Sequence, residues 1–227
     1  MQYVVPPTNI VSVEIDGEAA RFPVRRIFCV GRNYVAHIRE MGGDERDPPF
    51  YFTKPADAIV PTGSTIDYPS LTENLHYECE LVVAIGKGGR DIPESKALDH
   101  VYGYAVGLDM TRRDIQNALR EKKRPWDMGK AFDQSAPIGK IHPVSKVGHI
   151  LKGPLWLDVN GVRKQDSVLE LMIWDVPETI ANLSTYLELA PGDLIYTGTP
   201  DGVGPVVAGD VMHGHIDGLS DLEITVR

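Results

Sequence analysis

Runs of four to eight apolar residues, cut at short intervals by glycine or proline, recur along almost the whole of this chain. Runs of that length are too short for core helices and too apolar for loops, so they predict strands that pair into sheets. The 22 glycines and 17 prolines among 227 residues exceed the ~12% usual in soluble proteins. They are dispersed, so they mark turns between elements rather than a flexible tract. A β-rich α+β fold with a few short helices follows.

Individual segments fill in this outline. Residues 10–15 alternate, Asp16-Gly17 is a hairpin turn dipeptide, and residues 20–24 can return as the partner strand. Residues 27–30 predict a buried strand running into Gly31-Arg32-Asn33, with Asn33 capping a helix over 34–41 that Gly42-Gly43 stops. Strands are expected over 50–53, 77–85 and 101–108, then a helix over 111–123 with Thr111 and Asp114 as a capping pair. Asn160-Gly161 joins 155–159 to 162–165 as a second hairpin. A helix over 178–189 opens after Pro177, and strands over 194–197, 211–216 and 222–226 follow, with a glycine-rich loop at 198–205. No repeat or long linker divides the chain. We expect a strand-hairpin extension over 1–24 and one domain over 25–227.

The formal net charge is −9, and the one short basic run is Lys122-Lys123-Arg124. That balance argues against nucleic acid or an anionic membrane as partner. No apolar stretch approaches the ~18–20 residues of a membrane span, and the first residues lack a charged-then-apolar signal pattern. Cys29 and Cys79 both sit inside apolar runs, which fits free thiols in a reducing cytoplasm.

The chemistry concentrates where polar residues interrupt these strands. In His76-Tyr77-Glu78-Cys79-Glu80, residues two apart share a strand face, so Glu78 and Glu80 point the same way. Two adjacent carboxylates repel, and burying them unpaired is costly. Either they lie on a solvated edge strand, or a cation holds them on a buried one. Asp109, at the end of another apolar strand, offers a third oxygen ligand, and the set suits Mg²⁺ or Mn²⁺. His76 falls on the same face and is open as a fourth ligand. His37 and Glu40 stand at i and i+3 of the expected helix, the arrangement of a general base oriented by a carboxylate or of an incidental surface pair. Lys130, among small and apolar residues, is either a snorkelling lysine or a stabiliser of developing negative charge. The loop at 197–205 lacks the lysine and helix of a phosphate cradle. Its backbone and Thr199 can still meet a carboxylate. His213 and His215 are read as surface residues.

As an ordered set, CVGRNYxxHxxEM at 29–41, HxExE at 76–80, LDMTxRDxQ at 108–116, GKAFDQSAP at 129–137 and TGTPxGVGP at 197–205 resemble the fumarylacetoacetate hydrolase superfamily. The likeness spans about 25–227 and is greatest to its short acylpyruvate hydrolase branch, the stretch 111–137 looking most like bacterial fumarylpyruvate hydrolases. It implies a mixed β-roll, a homodimer, and Mg²⁺ or Mn²⁺ on Glu78, Glu80 and Asp109. It also implies His37, Glu40 and Lys130 as catalytic residues, and Arg32, Tyr34, Arg113, Gln116, Gly198 and Thr199 at substrate-binding positions. The implied reaction is hydrolysis of a C–C bond in a 2,4-dioxo acid, fumarylpyruvate first, in aromatic catabolism. Arg113, one turn beyond Asp109, is expected to hold that substrate's far carboxylate. Oxaloacetate decarboxylation or tautomerisation, or isomerisation of a dienoate diacid, uses the same ligands. A non-catalytic cation-binding module is the alternative of another class, and it has no need of His37, Glu40 or Lys130.

Overall fold

The computed structural model describes residues 2–34 and 47–227, so the helix expected over 34–41, with His37 and Glu40, lies beyond Tyr34 outside the described residues. The strands form a curled, mixed eight-stranded sheet. Its order is Phe50–Lys54, Arg26–Gly31, Asp193–Tyr196, Cys79–Ile85, Val101–Leu108, Ala136–Ile138, Ile59–Pro61, and His142–Pro143 also pairs with Val101–Leu108. A five-stranded sheet runs Val162–Val168, Pro154–Val159, Val211–Ile216, Leu222–Val226, Ser64–Ile66. Thr111–Arg112, Leu75–Tyr77 and Gly204–Val206 make a small third sheet.

The continuous apolar run at 81–85 is explained by burial on both faces of its strand. Cys79, Leu81, Val83 and Ile85 point into a large core shared with Leu155, Leu157 and Ile224 of the five-stranded sheet. Val82 and Ala84 point into a second core closed by Val13, Ile15 and Phe22. Those last residues belong to the hairpin Ser12–Glu14 and Arg21–Pro23, which is tied to the sheet by Asp16 N–H donating to Ile141 O at 2.9 Å. Residues 11–24 thus cover one face of the sheet. Both cysteines are free and buried, and no helix among the described residues is long and apolar enough to cross a membrane.

Three local expectations change. The strand expected over 77–85 is broken at Glu78: Leu75–Tyr77 joins the small sheet and Cys79–Ile85 the large one. The helix expected from 111 starts at Arg113, after Thr111–Arg112 pairs with His76 and Leu75. Thr111 and Asp114 therefore do not cap it; the Thr111 hydroxyl donates to Asp109 O, and Asp114 accepts from Thr72 Oγ1. The helix expected over 178–189 spans Val176–Tyr186, because Asp175 and Glu178 form a reciprocal capping box around Pro177.

Candidate active site

Antiparallel pairing brings the end of one strand beside the start of its neighbour, and here that rule assembles the carboxylates. Cys79 pairs with Leu108 and Glu80 with Gly107. Asp109 N–H then donates to Glu78 O at 2.9 Å, so Glu78 opens one strand exactly where Asp109 closes the other. On the far side of Cys79–Ile85, Thr197 N–H donates to Leu81 O, and Gly198 N–H reaches Glu80 Oε2 at 2.7 Å. Glu78, Glu80 and Asp109 are all buried, with one ligand oxygen from each lying within 4.8 Å of the others. The solvated-edge reading is thereby excluded.

Three cations face the three carboxylates. Lys130, last residue of the short helix Asp127–Lys130, donates to Glu78 Oε2 at 2.9 Å, Asp109 Oδ2 at 2.6 Å and Thr111 Oγ1 at 2.7 Å. Burial opposes its charge, yet Asp109 and Glu78 hold the Lys130 ammonium above its ordinary pKa. Arg113 donates through Nη2 to Glu78 Oε1 and through Nη1 to Gln116 Oε1 at 2.6 Å. Lys54 Nζ lies 2.8 Å from Asp109 Oδ1 and donates to the carbonyls of Met110 and Lys130. That approach to Asp109 is not aligned as a hydrogen bond, so the buried Oδ1 keeps an unfilled lone pair.

This donor set fits a hard divalent ion. The site offers oxygens alone, it is buried, and one oxygen lacks a hydrogen bond. Burial, then the charges of Asp109 and Glu78, push the Glu80 carboxyl well above the usual range. A cation therefore competes with a proton at this carboxylate. The sign follows: metal affinity rises with pH, up to about ten-fold per unit while one proton is released. Calorimetric titration with Mn²⁺ between pH 5 and 8 tests this, and a flat profile would refute it.

The other sequence-derived residues are distributed around this centre. Arg32, Arg113, Gln116, Lys130 and Thr199 line one pocket with Glu78 and Glu80. Gly198 adopts φ +93°, and a Cβ there would meet Asn33 Cβ at 2.7 Å, so only glycine lets its N–H reach Glu80. Tyr34 is buried, and its hydroxyl has no hydrogen-bond partner among the described residues. His76 is held elsewhere: Nε2 meets Asn74 Oδ1 at 2.9 Å and Nδ1 faces Arg113 Nε. Burial, aided by Arg113, lowers its pKa to about 4. It stands outside the carboxylate group as a neutral neighbour of Arg113. His213 and His215 are partly exposed, as expected, and share the Asp221 carboxylate at 2.8 and 2.6 Å.

Sequence reasoning missed Lys54, Gln165 and the role of Asn33. Gln165 is fully buried; its Nε2 donates to Thr199 Oγ1 at 2.8 Å and its Oε1 accepts from Cys79 N–H at 3.0 Å. It fastens the glycine-rich loop to the carboxylate strand. The Asn33 side chain donates to Thr197 O and Trp174 O, each at 2.8 Å, and accepts from Trp174 N–H; the helix it is expected to cap lies outside the described residues. A lone buried amide in an otherwise polar strand, such as Gln165 in Val162–Val168, leaves no periodic signal.

Comparisons with known proteins agree with this geometry. Residues 26–227 match the model of the fumarylacetoacetate (FAA) hydrolase C-terminal family. A fumarylpyruvate hydrolase from a Ralstonia species is 51% identical over 177 residues, which is 78% of this chain and 92% of that one. A human mitochondrial oxaloacetate tautomerase is 43% identical over 203 residues, covering 89% of this chain and 92% of its own. Among solved structures, fumarylpyruvate hydrolase from Pseudomonas aeruginosa, in complex with Mn²⁺ and pyruvate, is 55% identical. It superposes with TM-score 0.97 over 99% of each chain.

Proposed function

The chain belongs to the fumarylacetoacetate hydrolase family, and from that premise we propose that it hydrolyses the C3–C4 bond of an acylpyruvate, with fumarylpyruvate as the foremost substrate. The observation that carries this reading is the buried Glu78, Glu80 and Asp109 group, of which Glu78 and Glu80 line a pocket with Lys130 and Arg113. Relatives named fumarylpyruvate hydrolase are 51% and 55% identical to this chain over the aligned residues. The tautomerase is 43% identical.

Glu78, Glu80 and Asp109 would hold Mg²⁺ or Mn²⁺. Once bound, such an ion supplies Lewis-acid charge to the 2-oxo acid end of the substrate. His37, oriented by Glu40, takes a proton from water, and the water oxygen attacks C4. The Lys130 ammonium, kept charged by Glu78 and Asp109, supports the negative charge developing on the C4 oxygen. The C3–C4 electron pair leaves with the three-carbon fragment, whose C3 takes up a proton to give pyruvate. The acyl part departs as a carboxylate, fumarate for fumarylpyruvate. Gly198 and Thr199 offer the loop that borders the substrate, and Tyr34 is a further substrate-binding residue of this reading.

The catalytic domain of this reading is 25–227, with 1–24 as its extension. A cytoplasmic homodimer is the proposed setting, consistent with two buried free cysteines. Assayed with Mg²⁺ and with Mn²⁺, the protein is expected to hydrolyse fumarylpyruvate and acetylpyruvate faster than it decarboxylates or tautomerises oxaloacetate. The reverse order would replace hydrolysis by the tautomerase or decarboxylase reading.

A further inference from the structure

Resting on that reading, we propose that Arg32 is the specificity residue that binds the far carboxylate of an anionic acyl arm. Within the pocket the other cations are already matched. Lys130 and Arg113 are bonded to Glu78, and Lys130 and Lys54 contact Asp109. All three cations are thus already engaged, Arg113 at Glu78, Lys54 at Asp109 and Lys130 at both. A dicarboxylate substrate brings one carboxylate at its 2-oxo acid end and a second beyond the scissile bond. The second has no free counter-charge among those residues, and a desolvated carboxylate without a donor is costly.

Arg32 lines the same pocket. It makes no hydrogen bond or ion pair with any described residue, and its Nε is buried without a partner. The backbone holds it there at a cost: Arg32 has φ +57°, the left-handed region that a non-glycine residue seldom occupies. Both neighbours enforce this. A Cβ at Gly31 would lie 2.1 Å from the Phe50 ring, and Asn33 is fixed by hydrogen bonds to Thr197 and Trp174. The strands Arg26–Gly31 and Asp193–Tyr196 run parallel, so Arg32 leaves its strand at the same end as Gly198 and Thr199. The expected holder of this carboxylate, Arg113, instead has Nη2 on Glu78 and Nη1 on Gln116.

The test compares Arg32→Met and Arg32→Gly with wild type on fumarylpyruvate and on acetylpyruvate, which lacks the far carboxylate. Loss of a charge-assisted contact should lower kcat/KM for fumarylpyruvate by about 10- to 100-fold, and for acetylpyruvate far less. Glycine accepts the left-handed backbone, so Arg32→Gly should melt within about 4 °C of wild type and guard against misfolding. Fumarate binding by calorimetry gives a second reading, with the same 10- to 100-fold weakening expected in both variants. Equal losses on the two substrates, or undiminished fumarate binding, would overturn the role. If wild type hydrolyses neither acylpyruvate, the proposed reaction fails, while the fumarate titration still decides for or against Arg32.

Discussion

Replacing Glu80 by glutamine is expected to lower turnover about a thousand-fold or more while leaving the metal-free protein at least as stable as wild type. The two effects separate because of what surrounds this carboxylate. Its partner is Gly198 N–H, whereas Glu78 and Asp109 repel its charge and burial disfavours it. In the metal-free protein glutamine therefore removes a charge that burial and two neighbouring carboxylates oppose. A metal ion needs the ionised oxygen, and its loss removes several kcal/mol of transition-state charge stabilisation. Asp109→Asn should behave differently. Asp109 faces both Lys54 and Lys130, and removing its charge leaves two buried ammonium groups short of a counter-ion, at about 3–5 kcal/mol. Thermal melts with and without Mn²⁺ distinguish the variants. Metal at a hundred times Kd adds about 2.7 kcal/mol to the wild type, and this increment should vanish in Glu80→Gln. If it persists, the ion binds elsewhere.

For His37→Ala, hydrolysis is expected to fall about 10²–10⁴-fold, the usual contribution of a general base. Mn²⁺ affinity should stay at its wild-type value, because the three ligand carboxylates come from other segments. Any oxaloacetate decarboxylation or tautomerisation should also survive, since neither requires an activated water. Steady-state assays of both reactions, beside a Mn²⁺ titration, check the claim. A variant that hydrolyses acylpyruvate at the wild-type rate removes His37 from the mechanism, and parallel loss of metal binding would assign it a structural role instead.

Much of the site was legible because its signals are local. Glu78 and Glu80 stand two residues apart beside an apolar run, and Asp109 follows another. Each pattern implies carboxylates at the end of a buried strand, and antiparallel pairing needs little more to bring them together. The strand-rich class was legible for the same reason, since glycine and proline punctuation and apolar run length act over a few residues. The −9 charge and the two cysteines within apolar runs are likewise read directly from the sequence, and the expectations about partners and compartment rest on them alone.

Long-range pairing decided the rest. The break at Glu78 arises because 75–77 and 79–85 join different sheets, and no short window records which sheet a strand will join. Lys54 acquired its place from Met110, Asp109 and Lys130, and Gln165 from Thr199 and Cys79. The two arginines show the division most clearly. Sequence places Arg113 near the metal ligands by its tether to Asp109, but a tether leaves the guanidinium's partner open. That partner is Glu78, chosen by the fold, while Arg32, at the end of a strained turn, pairs with no carboxylate among the described residues. Residue type and spacing determine which charges a segment carries. Which opposite charge each one meets is an interaction between segments distant in the chain, and only their packing in three dimensions decides it.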